Sequence, residues 1–185
     1  MKEFEQLKKL LYLKSIHRAG EVGKRQESAA EHVYGCMVLA EHFIKNVAGP
    51  LDELKVLKLL LYHDLVEIET GDFFILDDER RRNKTETEEE GARRLAETIP
   101  QTVSEEFSRH FREYELGKTR EAKFAKAIDQ LEPMVHWAIH TKDWRKWGFS
   151  EENLRAKKTK HLEQFPELLG FFNDLMKELK EKGYF

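Results

Sequence analysis

Cysteine is almost missing from this 185-residue chain: Cys36 stands alone. One thiol excludes an internal disulfide and a zinc cluster built on thiolates, and it fits a reducing, cytoplasmic setting. Proline is scarce as well, with four residues in all, so little interrupts long helices. No apolar run approaches the roughly 18 residues of a membrane span and no secretory signal opens the sequence, so no membrane role is expected. A net charge of −3 is too balanced for the broad basic surface that holds nucleic acid. Runs alternating between apolar and polar residues, internal repeats and low-complexity linkers are wanting too. What remains is a chain 40% hydrophobic and 36% charged, enough for one sizeable core in a single domain over residues 1–185.

Apolar spacing predicts helices along most of it. Phe4, Leu7, Leu10, Leu11 and Leu13 mark one over 3–14, and Ser28-Ala29-Ala30-Glu31 is a capping box for another over about 29–47. Between them Ser15–Gln26, with two glycines, reads as a loop carrying Arg18, Lys24 and Arg25. After Gly49-Pro50 a very apolar helix runs to Gly71, followed by a loop over 71–84. Helices at 85–97 and 104–116, a long one from Thr119 past Pro133, and a last pair near 151–163 and 167–182 complete an all-α expectation of six to eight helices. The aromatic turn at Trp144, Trp147 and Phe149 is expected in a C-terminal core or at a subunit contact, which favours a homodimer.

The informative stretch is Leu57-Lys58-Leu59-Leu60-Leu61-Tyr62-His63-Asp64-Leu65-Val66-Glu67-Ile68. A helix this apolar belongs inside the fold, yet it carries an imidazole and two carboxylates. Burying them unpaired would cost several kcal/mol. A divalent cation would pair with them, since neutral imidazole and carboxylate are ordinary ligands for Mn, Co, Fe, Ni or Zn, with Mg also accepted.

Other segments join this one. Lys14-Ser15-Ile16-His17-Arg18, Arg25-Gln26-Glu27-Ser28-Ala29-Ala30-Glu31-His32, Tyr62-His63-Asp64 through Gly71-Asp72, and Ala122 through Ile128-Asp129-Gln130 form an ordered set. The set resembles the HD-domain metal-dependent phosphohydrolases, in particular their small 5′-deoxynucleotidase-like branch. The resemblance covers about residues 5–140, and the C-terminal helices over 150–185 are expected to pack on that core. It implies a helical HD-domain fold in which His32, His63, Asp64 and Asp129 hold one divalent metal ion. It further implies Glu67 and Asp72 as the catalytic acid and base, in either order, and Arg18, helped by Arg25, as the phosphate-binding residue. The substrate it implies is a (deoxy)nucleoside 5′-monophosphate. In one respect the chain departs from the branch: Ala19 stands where its bacterial members tend to place a bulky aromatic beside the sugar, so the choice between deoxyribose and ribose stays open.

Two other classes compete with that reading. One keeps the site but hydrolyses a dNTP or an alarmone; the other is a helical interaction module with a structural metal. Against alarmone hydrolysis, His63-Asp64-x-x-Glu67 is followed by Ile68, not by a further acid. His136 and His140 are permitted as a metal pair by spacing but read as ordinary helix residues, as do His17, His42, His110 and His161. Arg80-Arg81-Arg82 with Lys84 reads as a solvated charge run, and Cys36 as a small buried apolar residue.

Overall fold

The computed structural model describes residues 2–141 and 143–185. Its helices begin where side chains can satisfy the free amides of a first turn. Ser28 Oγ accepts from the Glu31 amide and the Glu31 carboxylate accepts from the Ser28 N–H, which starts α2 (Ala29–Phe43). Ser150 with Asn153 repeats the device at α9 (Glu151–Leu162), while Asp52 and Thr119 cap α3 (Glu53–Tyr62) and α8 (Arg120–His140) by accepting one amide each. Pro166 opens α10 (Pro166–Glu181), where its missing N–H is no loss. The rest are α1 (Lys2–Leu10), two single turns α4 (Glu67–Thr70) and α5 (Asp78–Arg81), α6 (Lys84–Thr98) and α7 (Gln101–Leu116). The fold is all-α apart from one small hairpin. Among the described residues no helix is long and apolar enough to cross a membrane.

That hairpin is the first correction. Where a loop over Ser15–Gln26 is expected, the chain forms β1 (His17–Val22) and β2 (Arg25–Ser28), antiparallel and joined at Gly23 with φ 64°. Its pairing is irregular between His17 and Glu21, which destroys the period of two that would reveal a strand. Packing against α8 holds it instead: a Cβ on Gly20 would sit 3.1 Å from both His136 Nε2 and Trp137 Nε1. Arg18 is thereby mounted on a strand rather than on a free loop.

The second correction lies in the apolar stretch. It is not one helix, because α3 ends at Tyr62 and α4 starts at Glu67. Between them the backbone tightens to bonds three residues apart, Leu65 N to Tyr62 O at 3.3 Å and Glu67 N to Asp64 O at 3.0 Å. In such a turn side chains three apart eclipse, which brings Glu67 over Asp64. His63 takes part by giving its Nδ1–H to Leu60 O at 2.7 Å.

At the centre lies α8, touching α2, α3, α7, α9, α10 and β1. Phe124, Ile128 and Leu131 on it meet Leu59 and Leu60 of α3 and the α10 face of Leu168, Phe172 and Met176. A smaller cluster of Val66, Leu95 and Phe107 seats α6 and α7 beside the tight turn. Trp144 and Phe149 are core residues, 1% and 7% exposed, so little of the aromatic group is free for a subunit contact.

Candidate metal centre

Three separate parts of the chain deliver polar atoms from four residues to one point. The capping box places His32 in the first turn of α2, the tight turn offers His63 and Asp64, and Asp129 projects from α8. His32 Nε2 lies 3.1 Å from Asp129 Oδ1 and 3.6 Å from Asp64 Oδ2, and His63 Nε2 lies 3.3 Å from Asp64 Oδ2 and 3.7 Å from Asp129 Oδ1. Bonds of about 2.0–2.2 Å to a common ion would set neighbouring donors roughly 2.8–3.6 Å apart in tetrahedral or octahedral geometry. The spacing therefore fits a divalent metal.

The chemistry of these atoms fits as well. His32 Nδ1 meets Glu132 Oε2 at 2.6 Å and His63 Nδ1 meets Leu60 O at 2.7 Å. Each outer nitrogen then carries the proton, and each Nε2 lone pair is turned inward. His63 Nε2 is buried without a hydrogen-bond partner. Four lone-pair-bearing atoms facing one another call for a cation at their centre. In its absence protons take the role: burial pushes His63 down, yet Asp64 and Asp129 overcome it and hold the ring near 10. Burial pushes Asp64 and Asp129 up, and the two imidazoles nonetheless hold both carboxylates below the usual range. Cys36 Sγ lies 3.5 Å from His32 Nε2 and could join His32, His63 and Asp129 around an ion, while burial pushes its thiol up to about 12.

A cleft of about 900 Å³, including its mouth, opens on this cluster. Arg18 reaches into it from β1, its Nη1 lying 3.2 Å from Asp64 Oδ2 and 3.2 Å from Asp72 Oδ1, with its Nε 3.6 Å from Glu27 Oε2. Glu67 lines the same wall and is 4% exposed, with Oε2 lacking a hydrogen-bond partner. Burial first, then the Asp64 charge, raises its pKa well above the ordinary value, against the pull of Arg18. Ala19 lines the cleft next to Arg18. Arg25 lies elsewhere: it is exposed on β2 and its guanidinium clasps Glu31 at 2.5 and 2.8 Å.

Several cleft residues escape a reading of the sequence. Arg81 and Lys84, expected in solvent, are part of the wall, with Arg81 Nη1 donating to Phe73 O at 3.1 Å. Tyr114 donates to Asp129 Oδ2 at 2.8 Å and Gln130 Nε2 does so at 3.0 Å, holding that carboxylate in place. Glu132 is 6% exposed and orients His32; its place one helical turn after Asp129 was the available signal. His136 is also not a bystander, since its Nδ1 meets Glu27 Oε1 at 3.2 Å behind Arg18. Lys158 of α9 is 3% exposed, and burial lowers its ammonium to about 8 against the attraction of Asp129.

The support of His32 has a testable weak point. A Cβ on Gly35, one turn after His32 on α2, would overlap Glu132 Oε1 and lie 3.0 Å from its Cδ and Cγ. Gly35→Ala is therefore expected to displace Glu132, loosen His32 and weaken divalent-metal affinity about 10–100-fold. It should also cost about 1–3 kcal/mol of stability through overpacking. Calorimetric metal titration and thermal unfolding check both, and metal affinity equal to that of the parent would remove Glu132 from this role.

Comparison with known proteins gives a consistent picture. The model of a family described as HD domain matches residues 11–169. The chain is 32% identical over 131 residues to the 5′-deoxynucleotidase HDDC2 of Bos taurus and 32% identical over 126 residues to that of Homo sapiens. Each match takes in 66% of this chain and 60% of the relative, so the chain spans about three fifths of these curated proteins. Among solved structures, a predicted metal-dependent phosphohydrolase from Magnetospirillum magnetotacticum superposes with a TM-score of 0.85 at 28% identity, covering 99% of this chain and 96% of that one.

Proposed function

The chain belongs to the HD domain family, and on that premise we propose that it is a metal-dependent phosphomonoesterase acting on (deoxy)nucleoside 5′-monophosphates. The products are a nucleoside and inorganic phosphate. One observation carries the reading: Asp64 and Asp129, which gather His32 and His63 behind them, line a single cleft together with the Arg18 guanidinium. The name borne by the bovine and human relatives, 5′-deoxynucleotidase, supports the nucleotide class.

In this reading His32, His63, Asp64 and Asp129 hold one divalent ion, and the mixed nitrogen and oxygen set suits Mn, Co, Fe, Ni or Zn, with Mg accepted. The bound ion supplies Lewis acidity, polarising a phosphoryl oxygen and easing the deprotonation of water. Arg18 orients the phosphate, because its planar fork matches two phosphate oxygens and its two carboxylate neighbours hold it at the cleft wall. Glu67 accepts the proton of the attacking water. Asp72, tied to Arg18 at 3.2 Å, serves the side from which the 5′-oxygen leaves. Ala19 leaves the wall beside Arg18 open, so ribonucleotides are accepted along with deoxyribonucleotides. A cytoplasmic setting, where such nucleotides and reduced thiols occur, completes the reading.

A screen of nucleotides against metals tests it. Phosphate release from dAMP or dTMP should require added Mn or Co and disappear with a chelator. No release from any 5′-monophosphate with any metal would overturn the proposal, and release of tripolyphosphate or pyrophosphate from larger nucleotides would redirect it.

A further inference from the structure

The cations on the cleft wall differ in one respect. Arg18 faces Asp64 and Asp72 at 3.2 Å, Lys84 faces Glu88 at 3.2 Å, and Arg81, which donates to Phe73 O, is only half-buried and keeps contact with solvent. Lys158 reaches the same cleft from α9, yet its described hydrogen bond goes to a neutral acceptor, Gln130 O, at 2.8 Å. Among the described residues no carboxylate forms an ion pair with it. The side chain is nonetheless sealed from solvent, the residue being 3% exposed. An ammonium carries three N–H donors, so one neutral acceptor leaves both charge and donors unsatisfied. A buried charge left in that condition costs several kcal/mol. The wall of a ligand cleft is where such a group becomes useful, because the ligand can complete it.

The missing partner should be anionic. A nucleobase carbonyl would accept a hydrogen bond but leave the charge uncompensated, whereas a phosphate monoester offers both charge and several acceptor oxygens. Gln130, to which Lys158 is anchored, directly follows Asp129 in α8, so the ammonium is held at the metal end of the cleft.

We infer that Lys158 is a phosphate-binding residue that engages the phosphoryl group from α9 while Arg18 engages it from β1. The inference takes its ligand from the phosphomonoesterase reading, but it is tested with inorganic phosphate, without turnover. Phosphate is titrated into the Mn-loaded protein by calorimetry and by the rise in thermal midpoint, with thymidine as an uncharged control. Lys158→Met should weaken phosphate binding about tenfold or more, as expected for loss of a charge-assisted hydrogen bond, and leave thymidine binding unchanged. Lys158→Arg, which keeps the charge, should retain most of the phosphate affinity. Without phosphate, Lys158→Met should unfold at or above the parent temperature, since it removes an unpaired buried charge; should it fail to fold, Lys158→Gln takes its place in the titration. Unchanged phosphate affinity, or a loss confined to thymidine, would overturn the inference. A protein that binds phosphate through Lys158 yet hydrolyses no nucleotide would discard the phosphomonoesterase reading alone. A working nucleotidase indifferent to Lys158 would discard this inference alone.

Discussion

Asp64→Asn is expected to lower kcat/KM for a 5′-monophosphate on the order of 10³-fold or more, equivalent to at least about 4 kcal/mol of transition-state stabilisation. The purified variant should also carry little metal. The size of the effect follows from the position of one oxygen. Asp64 Oδ2 is 3.3 Å from His63 Nε2 and 3.6 Å from His32 Nε2, and at the same time 3.2 Å from Arg18 Nη1. On the proposed reading it serves the ion and the phosphate-binding arginine together. Asparagine keeps the shape but presents either a neutral oxygen or an NH₂ group at that point. Turned one way it sets a donor against both the Arg18 donors and the cation; turned the other way it offers both an oxygen without the carboxylate charge. Elemental analysis of the purified variant and a phosphate-release assay check the two halves. Full metal content together with full activity would remove Asp64 from the centre.

What a sequence can disclose about such a site depends on where the determining contacts lie. The starts of α2 and α8 were visible because Ser28 with Glu31, and Thr119, are local devices, complete within four residues. The apolar stretch was legible as buried, but its break after Tyr62 was not. That break goes with a side-chain bond from His63 to Leu60 O and with packing of Val66 against Leu95 and Phe107. Periodicity cannot register either contact. The hairpin was hidden for a similar reason, since β1 is held by α8 across more than 100 residues of chain, as the contact of His136 Nε2 with Glu21 O shows (115 residues apart). Arg18 and Arg25 look alike in sequence; only the fold sends one into the cleft and the other to Glu31 at the surface. Lys158 lay in the stretch with no counterpart among the family motifs, where nothing but three-dimensional proximity to Gln130 distinguishes it from the lysines around it.

Glu67→Gln should lower kcat about 10²–10⁴-fold, the range typical of a lost general base, while metal content and KM stay near those of the parent. The expectation differs in kind from that for Asp64, although the two residues are three apart and eclipsed in the tight turn. Asp64 points an oxygen at the ligand cluster; Glu67 has an oxygen with no partner, buried on the cleft wall. A buried carboxyl group without a partner, pushed upward by burial and by the Asp64 charge, is costly to keep. Nothing in the packing of α4 requires it, since an apolar residue would fill the same volume without that cost. Glutamine has nearly the same size and can still accept a hydrogen bond from water, but its amide cannot take up the proton that the water must lose. Binding should therefore survive and the chemical step should fail. Single-turnover phosphate release, read beside metal content, separates the two. A helical module with a purely structural metal would show no turnover in either protein, and undiminished turnover in Glu67→Gln would transfer the proton to Asp72 or to solvent.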